Sequence, residues 1–127
     1  ANQPNKCDNA PHFEPQDQFL RRIPPWHLKE SGKVSSAAFE NDPDTPDRMS
    51  VNWLKLSSVE HTLSGHPGYG VASITAALCC SLKQQPVYSP VEDNVAHSDI
   101  VGPKTRGISR SFRNGAQYLR YPDSQLS

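Results

Sequence analysis

Proline recurs along this chain at intervals that leave no room for a long regular element. Pro24-Pro25, Pro43, Pro46, Pro67, Pro86, Pro90 and Pro103 each end or begin whatever lies beside them. A proline fixes its own φ, carries no amide donor and pushes the residue before it out of the helical region. Such a chain can form only short strands and short helices. Leu, Ile, Val and Phe make up 25 of 127 residues, near the lower limit for a packed domain, so most large apolar side chains must share one core. Lys+Arg and Asp+Glu number 13 each, which removes any global pull towards nucleic acid or an anionic membrane and makes any basic patch local.

Residues 1 to 18 are polar, contain Pro4, Pro11 and Pro15, and offer only Cys7 and Phe13 as sizeable apolar groups, so a flexible arm is expected there. The domain is expected over 19 to 121, with a tail at 122 to 127. Phe19 to Ile23 reads as a first extended segment stopped by Pro24-Pro25. Met49, Val51 and Trp53 alternate and define one face of a second strand. Ser57-Ser58-Val59-Glu60 matches a capping box, with Gly65 as the stop of a two-turn helix. Val71, Ile74, Leu78 and Leu82 recur at helical spacing and predict a helix across that stretch. Pro86 to Tyr88 and Val95 to Val101 are strand candidates. Pro103 opens a helix running to Arg120, with Ile108, Phe112, Ala116 and Leu119 on its apolar side. The expectation is a single small α+β domain of short strands with about three helices, in which Trp53, Ile74, Leu78, Ile100 and Phe112 are buried.

The run His61 to Leu82 is uncharged, but His66, Pro67 and three glycines leave only about 12 apolar-compatible residues, too few to span a bilayer. The first 18 residues show neither a basic n-region nor an apolar h-region. Three cysteines, two of them adjacent at Cys79 and Cys80, make no disulfide framework. A cytoplasmic protein with reduced thiols is therefore expected.

Taken in order, Arg21-Arg22-Ile23, Val34-Ser35-Ser36-Ala37-Ala38-Phe39, Met49-Ser50-Val51, Gly70-Val71-Ala72-Ser73 and the segment Asn94 to Thr105 resemble a group of small bacterial proteins of unassigned activity. The resemblance spans 19 to 120. It implies a compact bacterial domain and no particular chemistry.

The strongest local feature is a basic stripe. Residues 104 to 120 hold Lys104, Arg106, Arg110, Arg113 and Arg120 with no acid, and the four arginines fall on one side of the expected helix. Arginine suits phosphate through its rigid two-toothed fork. The plain alternative is a solvated helix face, since charges belong opposite an apolar stripe. His97 and Asp99 share a strand face, where a carboxylate could orient an imidazole for proton transfer. Ser36 is a nucleophile only if the fold brings it near, and a structural histidine is the commoner case. The order Arg21 or Arg22, Ser35-Ser36 and Glu92 resembles that of one class of ADP-ribosyltransferases, which would imply transferase chemistry. Ser-Ser-Ala-Ala-Phe departs from that class's serine motif, and Glu92 falls in a predicted turn. Gly65, Gly68 and Gly70 precede an expected helix start, a geometry that can hold anions, yet no phosphate-loop signature is present. The five histidines and three cysteines form no couplets at zinc spacing, so neither metal nor cofactor is expected.

These observations favour a noncatalytic binding module whose basic C-terminal helix meets a protein or nucleic-acid partner, with homo-oligomerisation left open. The competing reading is a small enzyme using His97, Asp99 and an arginine of the first strand. A cleft joining His97 to Arg21 or Arg22 would speak for the second.

Overall fold

The computed structural model describes residues 13 to 124. Six strands form one sheet: β1 (Gln18–Ile23), β2 (Arg48–Trp53), β3 (Gly70–Thr75), β4 (Gln85–Tyr88), β5 (His97–Val101) and β6 (Gln117–Arg120). Their order is β4-β5-β2-β1-β3-β6, and every neighbouring pair is antiparallel. Three helices accompany it, α1 (Val59–Leu63), α2 (Ala76–Ser81) and α3 (Arg106–Gly115), with single 3-10 turns at Pro25–His27, Ser36–Phe39 and Leu54–Leu56. The class is α+β.

Cross-strand partners point to the same side of a sheet, so the register assigns the two faces. Phe19 lies opposite Trp53 and Ile74, and Met49 opposite Ile100. With Ile23, Val51, Phe39, Cys79 and Phe112 these side chains form the apolar core. Trp53, Ile74, Ile100 and Phe112 are buried as expected, whereas Leu78 is only half-buried at the rim. The opposite face is polar. Leu20 pairs with Asn52 and Ser73, Asn52 with His97, and Ser50 with Asp99.

Several expectations need correction. The stretch 71 to 82 is a strand followed by a helix. Thr75 ends β3, and its hydroxyl accepts from the Leu78 amide to cap α2. Val71 and Ile74 are β-branched and bury in the sheet, so the helical spacing there was coincidental. The basic segment is likewise divided. α3 stops at Gly115, Ala116 turns extended, and Gln117–Arg120 pairs with β3, whose open edge supplies the ladder partners. A Cβ at Gly115 would come within 3.0 Å of Leu78, and one at Gly70 would collide with the Arg120 carbonyl, so both glycines allow close contacts that larger residues would block. The cap of α1 is Ser58, accepting from His61, rather than Ser57.

The folded body also begins earlier than expected. Phe13 is 2% exposed and meets Phe19 and Trp53 edge-on at 4.8 Å each, and the carbonyls of Pro15 and Asp17 accept from Ala77 and Ala76. Residues 13 to 17 thus belong to the folded body. The rest of the arm, 1 to 12, and tail residues 125 to 127 lie outside the described residues. At the other end Pro122 is buried and Asp123 donates its amide to Gly68.

Burial pushes the free thiol of Cys79 up to about 12, which makes it an inert core group. Cys80 is disulfide-bonded, contrary to the expectation of reduced thiols throughout. No helix among the described residues is long and apolar enough to cross a membrane.

Candidate functional site

β1 pairs with β3 along its whole length but with β2 only at Phe19 and Leu20. Beyond that point β1 and β2 separate, and the freed backbone of Ser50 needs other partners. Asp42 and Arg21 supply them. Asp42 Oδ2 accepts from the Ser50 amide at 2.9 Å, and Arg21 Nη1 donates to the Ser50 carbonyl at 2.8 Å. The same Arg21 nitrogen donates to Asp42 Oδ1 at 3.1 Å, and its other nitrogens donate to the carbonyls of Ala38 and Glu40. Burial chiefly lowers the Arg21 pKa, Asp42 opposes that shift, and the neighbouring charge of Arg22 adds to it. Burial also works against the Asp42 carboxylate, but Arg21 and the Ser50 hydrogen bonds outweigh it and hold Asp42 below the ordinary carboxylate range. This ion pair substitutes for the missing strand pairing and keeps the sheet open at its centre.

The opening is a cleft of about 420 Å³, lined by Arg21, Arg22, Asp42, Asp44, Ser50, Asn52, Thr62, Asn94 and His97 among others. One wall is a chain of amides and hydroxyls. Asn94 donates to Asn52 Oδ1 at 2.8 Å, Asn52 donates to Thr62 Oγ1 at 3.0 Å, and the Asn94 carbonyl oxygen Oδ1 accepts from the Ala96 amide. Asn52 and Thr62 are buried, so their geometry is fixed by these bonds. Arg22 is the exposed cation of the cleft, and its one side-chain hydrogen bond among the described residues runs from Nη1 to the Thr62 carbonyl at 3.1 Å. The remaining donors of its guanidinium have no hydrogen-bond partner among the described residues.

His97 stands on β5 beside Asn52. Its Nδ1 lies 2.8 Å from the Ser89 carbonyl, which can only accept, so Nδ1 carries the proton and Nε2 is the nitrogen left for a ligand. The Ser89 hydroxyl, 3.2 Å from the same Nδ1, donates to Asp99 Oδ2 at 2.7 Å. Asp99 also faces Arg48 at 3.6 Å and is buried. Asp99 therefore acts on His97 through Ser89 and not by direct contact. The arrangement can accept a proton at Nε2 and bind an anion at Arg22.

Ser36 opens the turn at Ser36–Phe39 and does not line the cleft. Its neighbour Ser35 caps that turn. Glu92 lines a separate hollow with Lys55, Ser58 and His61, so the arginine, serine and glutamate of the transferase order do not converge. The cleft residues absent from the sequence reading are Asp42, Ser50, Asn52, Thr62 and Asn94, because only the strand register and the splay of β1 from β2 bring them together. Gly70 begins a strand, so the Gly65-to-Gly70 loop offers no helix amides for an anion.

The basic stripe is rearranged. Arg106 and Arg110 are exposed and Arg113 is half-exposed on one side of α3, while Arg120 has moved to the edge strand β6. Lys104 folds back, donating to the carbonyls of Ile100 and Gly102, and burial lowers it to about 8. Among the described residues no group of three or more His, Cys, Asp or Glu could hold a metal ion. No protein-family model, curated protein or solved structure matches the chain significantly.

Proposed function

We propose that the protein binds a small anionic metabolite, of the size of a sugar phosphate or mononucleotide, in the central cleft. The single observation that carries this reading is the meeting of an under-bonded Arg22 and a tautomer-fixed His97 in one space of about 420 Å³, a volume suited to a small ligand. Arg22 takes the phosphate or carboxylate through its fork. His97 Nε2 accepts a hydrogen bond from a ligand hydroxyl, and Asp44 offers a further acceptor at the rim. The cleft joins His97 to Arg21 and Arg22, which speaks for chemistry, but Ser36 stands outside it and Asp99 reaches the imidazole only through Ser89, so binding without chemistry is the favoured reading. Proton transfer by His97 is the second, supported by the Nδ1 link to Ser89, which leaves Nε2 as the ring nitrogen without a hydrogen-bond partner among the described residues.

Calorimetric titration with pyrophosphate, AMP and glucose 6-phosphate tests it. The proposal expects saturable binding with Kd below about 1 mM for at least one of them. Arg22→Gln should weaken that binding about tenfold or more, as a charge-assisted contact is lost. Absence of saturable heat with all three, or binding unaffected by both Arg22→Gln and His97→Gln, would sink it. The proposal includes a cytoplasmic setting, supported by low cysteine usage, with the bonded Cys80 set against it.

A further inference from the structure

A second surface shares no lining residue with this cleft. Where α3 hands over to β6, a groove of about 290 Å³ is lined by Lys33, Val34, Arg113, Asn114, Tyr118 and Tyr121, together with Gly32. None of these is acidic. The two tyrosines stack, with ring centroids 5.3 Å apart and planes at 16°. Tyr118 is fixed, because its hydroxyl donates to the Arg113 carbonyl at 2.7 Å and burial raises its pKa to about 12. Tyr121 is 54% exposed and so presents a ring edge and face to solvent on a rigid support.

From this groove the row Arg113, Arg110 and Arg106 continues along α3. At 100° per residue the three lie within about 60° of one another, and at 1.5 Å per residue they span about 10 Å. A cationic row leading into an exposed aromatic stack has complementary charge and shape to a phosphate backbone with unpaired bases. A duplex would use the arginines but hides its bases from Tyr121. A protein partner would need an acidic strip and gains nothing from the stacked rings beyond apolar area. We infer that this face binds single-stranded nucleic acid, with phosphates along Arg106, Arg110 and Arg113 and one base stacked on Tyr121.

Fluorescence anisotropy with labelled single strands of RNA and of DNA, and with the matching duplex, decides the matter. Single strands of at least one kind should bind better than the duplex. Their affinity should fall with salt at a log–log slope of about −2, or about −0.7 for each of three phosphate contacts. Arg110→Ala and Arg113→Ala should each flatten that slope by about 0.7. Tyr121→Ala should weaken binding about tenfold with the slope unchanged, since stacking carries no counterion release. Arg22→Gln should leave all of this intact, which separates the groove from the cleft. The thermal melts of the Arg110, Arg113 and Tyr121 variants, all at exposed or half-exposed sites, should match that of the parent protein. No binding of either single strand at about 50 mM salt overturns the inference. Equal binding of duplex and single strand, indifferent to Tyr121→Ala, overturns it as well.

Discussion

Asp42→Asn is the substitution on which the structural account of the open sheet is most exposed. The groups that face the Asp42 carboxylate act as donors to it, Arg21 Nη1–H at 3.1 Å and the Ser50 amide at 2.9 Å, with the Ser50 side chain beside them. An asparagine there has one oxygen and one NH2, so one donor must meet another donor, and Arg21 loses the charge that offsets its burial. Removing one member of a buried pair costs about 3 to 5 kcal/mol, and the side chain of Asp42 remains 24% exposed, which places this case near about 3 kcal/mol. The unfolding entropy of a chain of 127 residues is roughly 0.27 kcal/mol/K, so the melting temperature should fall by about 11 °C at pH 7. The effect depends on pH with a definite sign. The folded pKa of Asp42 lies below its ordinary value of 3.8, so its stabilisation is fully present above that value and is lost as pH falls through the folded pKa. Differential scanning calorimetry of both proteins from neutral to acid pH should show their melting temperatures converging as the pH is taken below 3.8 and through the lowered folded pKa. A variant melting within about 2 °C of the parent at pH 7 would refute the claim that this pair replaces strand pairing.

Phe112→Ala should cost about 3 to 5 kcal/mol in a urea melt, because the ring is fully buried beside Phe39. Phe13→Ala should cost about 3 kcal/mol although it precedes the first strand, since it packs against both Phe19 and Trp53; an unchanged melt would detach the segment from the core. Thiol titration of protein alkylated during lysis should find one free cysteine of the three if the bond at Cys80 persists, and three if the cytoplasmic setting holds.

Local signals in the sequence are legible where one element settles its own conformation. Met49, Val51 and Trp53 alternate because β2 has one apolar face, and the core follows from that pattern. Periodicity failed where two elements abut. Val71 and Ile74 belong to a strand and Leu78 to a helix, and the Thr75 cap between them was the one legible sign of the break. The strand Gln117–Arg120 could not be seen because its conformation depends on the open edge of β3, some 45 residues earlier in the chain. His97 and Arg22 were visible as chemistry. Their proximity was not, because it depends on the order β5-β2-β1 and on the splay of β1 from β2, both nonlocal properties.

The most direct test of the central cleft is the pair of side-chain 15N shifts of His97, followed by NMR as glucose 6-phosphate, AMP and pyrophosphate are added in separate titrations. Free His97 is predicted to be the Nδ1–H tautomer, with a protonated-type Nδ1 shift and a basic-type Nε2 shift. At least one of the three should move Nε2 along a saturable curve that Arg22→Gln shifts to at least about tenfold higher concentration. An Nε2–H tautomer in the free protein, or His97 signals that all three ligands leave in place, would contradict the cleft as a binding site.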